Sequence, residues 1–431
     1  MADEDDSIET KSLHVGQEEP DPATGARAPP IYQTSSYVFE DADDAASQFA
    51  LEEPGYIYSR LMNPTVEMLQ ERLAALEGGS GAVATASGMA ALNVTDFVLA
   101  DAGDNVVTAS SLYGGTYTYY THTAPRQGVE VRFVDTLDYE AYEEAIDENT
   151  KYIHCETIGN PALVTPDIER LADIADEHGV PLFMDNTFAT PALCRPIEHG
   201  ANLVWNSTTK WIHGHGTTIG GVVVDGGNFD WLAHADKYPE IAKDNPAYHG
   251  VNFAEAMGDQ AFTYTAIARG LRDMGNQQSP FDAWQTLQGV ETLPTRMRRH
   301  SENAMAVAEF LQDLPQVSWV TYPGLEDHET HDNASEYLDG GYGGMLAFGL
   351  KEGYEAAKAT VESTEIASLL ANVGDAKTLI IHPASTTHQQ LTDEEQEAAG
   401  VTDDMVRLSV GLEGVEDIKD DLQQAIAWAT K

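Results

Sequence analysis

Asn206-Ser-Thr-Thr-Lys-Trp-Ile-His-Gly-His-Gly216 is the stretch on which the reading of this chain turns. Ahead of it, Ala201-Asn-Leu-Val-Trp205 is a short apolar run of the kind that forms a buried strand. Behind it, Thr217-Thr-Ile-Gly-Gly-Val-Val-Val224 is a second. Lys210 therefore stands where a strand ends, just after the hydroxyls of Ser207 and Thr209. An amine so placed suits covalent bonding to an aldehyde while small neighbours hold an anion. A solvated loop lysine is the plain alternative, and the rest of the chain has to decide.

Five further strand-like runs precede this stretch: Gly81–Ala86, Asn105–Ala109, Val129–Asp135, Tyr152–Thr157 and Pro181–Asp185. Helical patterns lie among them, such as Met89–Leu99 and Ile168–His178, and Pro64 opens another through Glu77 with Val66, Leu69, Leu73 and Leu76 at helical spacing. The alternation predicts an α/β fold: an open, mostly parallel seven-stranded sheet with helices on both faces. Sites in such sheets lie beyond the carboxyl ends of the strands. Those ends read Ser87-Gly-Met89, Ser110-Ser-Leu-Tyr113-Gly-Gly-Thr116, Glu156-Thr-Ile-Gly-Asn160-Pro161, Asp185-Asn-Thr187 and Ser207-Thr-Thr-Lys210. Polar, glycine-rich or reactive residues converge on one edge.

Individual motifs leave choices open. Gly79-Ser-Gly81-Ala-Val-Ala84 has a dinucleotide-like glycine pattern, but a helix precedes it and a strand follows, the reverse of what that motif needs. Ser87-Gly-Met89 follows a strand and opens a helix, so its N–H groups either hold a phosphate or merely carry a helix cap. Asp185 either caps a turn or faces a pyridine nitrogen and keeps it protonated. His213 and His215 lack a third ligand nearby, and no metal is expected. Arg407, inside the apolar run Val406–Val410, needs a partner: a structural carboxylate or the α-carboxylate of an amino-acid substrate.

The flanks are less regular. Residues 1–62 read as an arm with little core of its own, 63–278 as a large domain and 279–431 as a smaller α+β domain. The stretch from Gly226 to Gly258 reads as an insertion or lid. In the helical pattern Pro280–Leu311, the cluster Arg296, Arg298, Arg299 and His300 is expected to be mostly a solvated or ion-paired face.

Across 431 residues, 71 Asp and Glu against 23 Lys and Arg leave a net charge of −48, while 42% of residues are hydrophobic. Nucleic acid is a poor partner for such a surface, and no apolar run reaches membrane-span length. The opening Met-Ala-Asp-Glu-Asp-Asp lacks a secretory pattern and two cysteines fit no disulfide framework, so a cytoplasmic protein is expected. The charge spreads over a folded chain and suits a very salty interior. At about molar salt the screening length falls to about 3 Å, which mutes the self-repulsion.

Taken in order, Tyr-Ser-Arg-Leu-Met-Asn-Pro-Thr65, Ser-Gly-Met-Ala-Ala91, Tyr-Gly-Gly-Thr116, Asp-Asn-Thr187, Ser-Thr-Thr-Lys210 and Arg-Leu-Ser-Val-Gly-Leu-Glu413 closely resemble the Cys/Met-metabolism, or transsulfuration, family of pyridoxal phosphate (PLP) enzymes from Leu13 to about Ala427. The resemblance implies a PLP-dependent aminotransferase-like (fold type I) architecture, with Lys210 bonding the cofactor and Asp185 on its ring nitrogen. It further implies that Tyr113 stacks on the ring and assists proton transfer, that Thr187 packs on the ring, and that Asn160 lies near the ring hydroxyl. Gly88, Met89, Ser207 and Thr209 would bind the phosphate, and Tyr58 and Arg60 would reach the phosphate of a neighbouring subunit. Arg407 and Ser385 would hold the substrate carboxylate. A homo-oligomer, at least a dimer and by family expectation a dimer of dimers, follows.

Within the family, Pro246-Ala-Tyr-His-Gly250, Gly258-Asp-Gln-Ala-Phe262 and Asn372–His388 resemble the O-acetylhomoserine sulfhydrylase branch, and Gly115 departs from the cysteine of methionine γ-lyases. His213 departs from the glycine usual in the branch. The implied reaction is γ-replacement on O-acetyl-L-homoserine by sulfide. Cystathionine γ-synthase and γ-lyase activities share the same catalytic residues and remain alternatives.

Overall fold

Seven runs between Gly81 and Asp225 form the strands β1 (Gly81–Thr85), β2 (Asn105–Ala109), β3 (Glu130–Val134), β4 (Thr150–Glu156), β5 (Leu182–Asp185), β6 (Leu203–Asn206) and β7 (Gly221–Asp225). This computed structural model describes residues 6–50, 53, 55–387, 389 and 400–431; the first five residues of the expected arm and His388 lie outside them. β2, β4, β5, β6 and β7 are buried along their whole length, as strands covered on both faces are. Their order is β1-β7-β6-β5-β4-β2-β3, and β7 alone runs against its neighbours. The remaining pairs are parallel, so six carboxyl ends and the start of β7 share one edge.

Local chemistry explains the helices on this sheet. Pro64–Glu77 starts with Asn63, whose side chain accepts from Thr65 N–H, and stops at Gly78 in the left-handed region (φ 78°). It buries Val66, Leu69, Leu73 and Leu76. Gly88–Leu99 is capped by Ser87, whose Oγ accepts from Ala90 N–H.

A second sheet contains β8 (Val317–Thr321), β9 (Met345–Leu350), β10 (Ser368–Leu369), β11 (Leu379–Ile381) and β12 (Met405–Ser409), in the order β10-β11-β12-β9-β8. Leu346, Phe348, Val406 and Leu408 from this sheet pack with Ile418, Leu422 and Ile426 of the helix Val415–Ala429. The helix Leu293–Gln312 joins the two cores: Met297 lies in the first, and Val307 and Leu311 in the second.

Two expectations fail here. The stretch from Gly226 is core rather than lid, because Trp231, Tyr238, Ile241 and Ala242 join the main hydrophobic cluster around an aromatic nest with Phe229 and Phe262. The basic cluster also divides. Arg298 and Arg299 pair with Glu9 and Glu302 at the surface, whereas Arg296 and His300 are buried and bond backbone carbonyls. One helical face turned inward decides which of the four meet water.

Candidate active site

β4, β5 and β6 end side by side, with Glu156 opposite Asp185 and Asp185 opposite Trp205. A cavity of about 990 Å³ opens above these ends, and the loop after β6 brings Lys210 into its wall. Gly88, Met89, Tyr113, Asn160, Asp185, Thr187, Ser207, Thr209 and Arg407 line the same cavity.

One end is built for an anion. Gly88 and Met89 are the first two residues of a helix of 12 residues, where N–H groups lack intrahelical acceptors. The approach to Ser207 is close: a Cβ on Gly88 would stand 2.7 Å from the Ser207 Cβ, and one on Gly221 would stand 2.2 Å from the Ser87 carbonyl oxygen. Glycine is therefore required at both places. Thr209 Oγ1 donates to Gly220 O and accepts from Gly220 N–H, each at 3.1 Å, which fixes the turn facing the helix start.

The middle of the cavity is acidic. Asp185 is buried and its Oδ1 accepts from Thr187 N–H at 2.9 Å; burial pushes its carboxyl up to about 7, against the Thr187 bond. Thr187 Oγ1 in turn accepts from Ser207 N–H at 2.9 Å. Behind this row, Trp205 Nε1–H donates to His154 Nε2 at 3.1 Å, which leaves the imidazole proton on Nδ1 beside Thr108. Burial drives the His154 pKa down to about 3, so it stays neutral.

Two cationic groups also line the cavity. Lys210 Nζ donates to Asn372 Oδ1 at 2.6 Å, and burial, then the Arg407 charge, lowers its pKa to about 8. Arg407 sits in β12, buried, with Nη1 donating to Asn160 Oδ1 at 3.2 Å. It has no ion pair among the described residues. Glu156 joins the loops: Oε1 accepts from Tyr113 N–H at 2.6 Å and Oε2 from Asn160 N–H at 3.0 Å.

Three expected residues lie elsewhere. Tyr58 and Arg60 do not line the cavity; the Arg60 guanidinium stands 5.6 Å from the centre of the Tyr58 ring and bonds the Arg272 carbonyl. Ser385 is in a 3-10 turn, with its Oγ 2.8 Å from His382 Nδ1. His213 is a loop brace, bonding Thr217 Oγ1 at 2.7 Å and the Gln285 carbonyl at 3.2 Å. Among the described residues, no group of three or more His, Cys, Asp or Glu could hold a metal ion.

Sequence reasoning placed Glu156 at a strand end without giving it a role, and missed Asn372 and Trp205 as parts of the wall. Trp205 lies one residue before the end of β6, where the strand-end rule could have nominated it. Asn372 comes from a loop beside the second sheet and carries no local signal.

The assembled wall offers an anion cup, a carboxyl that favours an adjacent proton, an amine with depressed basicity and a guanidinium that no carboxylate of the described residues pairs with. Comparisons with known proteins agree with such a constellation. Residues 9–427 match the family described as Cys/Met metabolism PLP-dependent enzyme. The homocysteine synthase of Schizosaccharomyces pombe is 51% identical over 430 residues, covering 100% of both chains. The O-acetyl-L-homoserine sulfhydrylase of Leptospira meyeri is 51% identical over 97% of this chain and 96% of its own. O-acetyl-L-homoserine sulfhydrylase 1 of Thermus thermophilus is 52% identical over 97% of this chain and 100% of its own. A crystal structure from Campylobacter jejuni, provisionally assigned as an O-acetylhomoserine (thiol)-lyase, superposes with a TM-score of 0.95 at 41% identity, covering 98% of this chain and 100% of that one. It carries N'-pyridoxyl-lysine-5'-monophosphate.

Proposed function

Because the chain belongs to the Cys/Met metabolism family of PLP-dependent enzymes, we infer that it is a transferase working by γ-replacement, in which O-acetyl-L-homoserine and sulfide give L-homocysteine and acetate. The carrying observation is that one cavity unites an anion cup, the Asp185 carboxyl, the Lys210 amine and Arg407, which has no ion pair among the described residues. Full-length relatives at about half identity bear the names of this reaction.

The cofactor is PLP, and the cavity fits it: Gly88 and Gly221 leave the space a phosphate cup needs, and Asp185 favours a proton held opposite it. When bound, PLP supplies an aldehyde for an amine and a ring that draws negative charge from the substrate α-carbon. Gly88, Met89, Ser207 and Thr209 hold its phosphate; Asp185 keeps a proton at the ring nitrogen; Tyr113, Thr187 and Asn160 enclose the ring and exclude water. Arg407 orients the substrate through its α-carboxylate. Ser385 stands outside the cavity wall, so its part in holding that carboxylate rests on resemblance alone.

Lys210 would bond the cofactor aldehyde, and its amine, freed by the substrate amine, would take the α-proton at Nζ and return it to the α-carbon before the product leaves. Its lowered basicity suits a base working near neutral pH. At the γ-carbon the bond to the acetate oxygen breaks, its electron pair leaving with acetate, and sulfide sulfur forms the replacement bond.

A homo-oligomer, a dimer of dimers, is part of this reading. Tyr58 and Arg60 stand away from their own cavity, and an arm of residues 1–62 that reaches a neighbour would bring them to its phosphate. The division at 62 and 278 into arm, large and small domains belongs to the same proposal. The two free, buried cysteines support a reducing cytoplasm and the charge of −48 supports a salty one. No helix of the described residues is long and apolar enough to cross a membrane.

The test supplies PLP-loaded protein in molar potassium chloride with O-acetylhomoserine, with and without sulfide. Homocysteine formed only with sulfide, and little 2-oxobutanoate, is expected. Abundant 2-oxobutanoate whether or not sulfide is present would transfer the chain to the γ-lyases.

A further inference from the structure

We propose that Glu156 is the positioning residue of this site: one carboxylate that holds the loops carrying Tyr113 and Asn160 and, through Asn160, the Arg407 guanidinium. The proposal rests on the reading of the cavity given above and deepens it.

Glu156 closes β4 and is 4% exposed. Its two oxygens serve two different loops. Oε1 accepts Tyr113 N–H from the loop after β2, and Oε2 accepts Asn160 N–H from the loop after β4. Tyr113 precedes the short helix Gly114–Thr118, and its N–H donates to Glu156. Without the carboxylate both donors would lose the side chain that ties their loops together, and the buried Asn160 N–H would lose its acceptor. Asn160 passes the constraint onward, because its side-chain oxygen is the acceptor for Arg407 on the second sheet. A single side chain thus fixes a residue assigned to the ring and, one step removed, the residue assigned to the substrate carboxylate.

Only a carboxylate of this length does both. Glutamine has one acceptor oxygen and would turn an NH2 group toward one of the two N–H donors. Aspartate keeps two acceptors but is a methylene shorter. The position is also unfavourable in itself. Glu156 pairs in register with Asp185, so two buried carboxyl groups are neighbours, and no cation of the described residues forms an ion pair with Glu156. Burial, then the Asp185 charge, pushes its pKa up, and the Tyr113 and Asn160 N–H bonds oppose that by favouring the ionised form. Such a burden persists where the geometry it enforces is used.

The test compares wild type, Glu156→Gln and Glu156→Asp as PLP-loaded enzymes. Visible circular dichroism of the bound cofactor reports on the ring environment, and hydrogen exchange reports on peptides spanning 110–118 and 157–164. Both variants should show an altered dichroic band, exchange at least about tenfold faster confined to those two peptides, and kcat/KM lower by at least about tenfold. The loss should divide between a raised KM for O-acetylhomoserine, through Arg407, and a lowered kcat, through Tyr113. Wild-type dichroism and kinetics in Glu156→Gln would overturn the proposal. So would a general loss of protection and melting temperature with an unaltered dichroic band, which marks a merely structural carboxylate. If wild type itself neither binds PLP nor makes homocysteine, the functional reading fails. Exchange in the cofactor-free proteins then still decides whether Glu156 holds the two loops.

Discussion

Arg296 and Arg407 are both buried, both lack an ion pair among the described residues, and burial lowers the pKa of each to about 10. Their surroundings differ. Arg296 donates to the carbonyls of Trp211, Ile212 and Gly289 at 2.7, 3.0 and 2.7 Å and to Thr292 Oγ1 at 3.1 Å. Gly214 (φ +76°) leaves it room: a Cβ there would stand 2.0 Å from Arg296 Nη1. Among the described residues the Arg407 side chain has one bond, to Asn160, and it faces the cavity. A buried cation surrounded by carbonyls is a fastener, here for the turn just after Lys210. A buried cation left short of acceptors in a cavity wall is completed by a ligand anion.

The largest effect should come from the fastener. Arg296→Met leaves three carbonyls without their donor, at about 1–3 kcal/mol each, so urea unfolding should show a stability loss of about 4 kcal/mol. An unchanged midpoint would erase the distinction between the two arginines. Arg407→Met should do the opposite: kcat/KM for O-acetylhomoserine falls by about a hundredfold or more, the size of a lost charged contact to substrate. The melting temperature of the cofactor-free protein should hold or rise, since no carboxylate is orphaned.

A third prediction moves the comparison to the acidic middle of the cavity. The folded-state pKa of Asp185 is raised, so its contribution to stability is fully present below the ordinary carboxylate range and is lost as pH rises through about 7. In cofactor-free protein, Asp185→Asn should remove that part of the pH dependence, so that its stability relative to wild type rises from pH 5 to pH 8. Asparagine keeps the oxygen that accepts Thr187 N–H, so the change isolates the charge. Denaturant melts at pH 5 and 8 measure it, and parallel pH curves for the two proteins would refute it. The smallest effect belongs to Arg298, on the same helix as Arg296. Its partner Glu9 is as exposed as it is, so Arg298→Ala should alter stability by less than about 0.5 kcal/mol in the same melts.

Much of this architecture was legible because strands of a covered parallel sheet are short apolar runs, and the residue after each run is forced to one edge. That logic found the seven strands, Lys210, Asp185 and the helix start at Gly88. It could not find Asn372, whose loop meets Lys210 only once the second sheet is docked. The burial of Arg296 and His300 was hidden for a related reason: four basic residues within one helical turn and a half look solvated until the inward face is known. The stretch after Gly226 misled through its prolines and histidines, while its core residues Trp231, Tyr238 and Ile241 are too irregularly spaced to mark a helix or strand. The helix Val415–Ala429 carried a usable signal in Ile418, Leu422, Ala425 and Ile426 that went unused. The parts that escaped are held by contacts distant in sequence.

The central claim is that the amine at the end of β6 bonds the cofactor. Borohydride reduction of PLP-loaded protein, followed by peptide mapping, tests it directly. The account predicts that the yellow colour is bleached and that the pyridoxyl group is found on Lys210 alone. A label on another lysine, or none on a protein that converts O-acetylhomoserine, would contradict it.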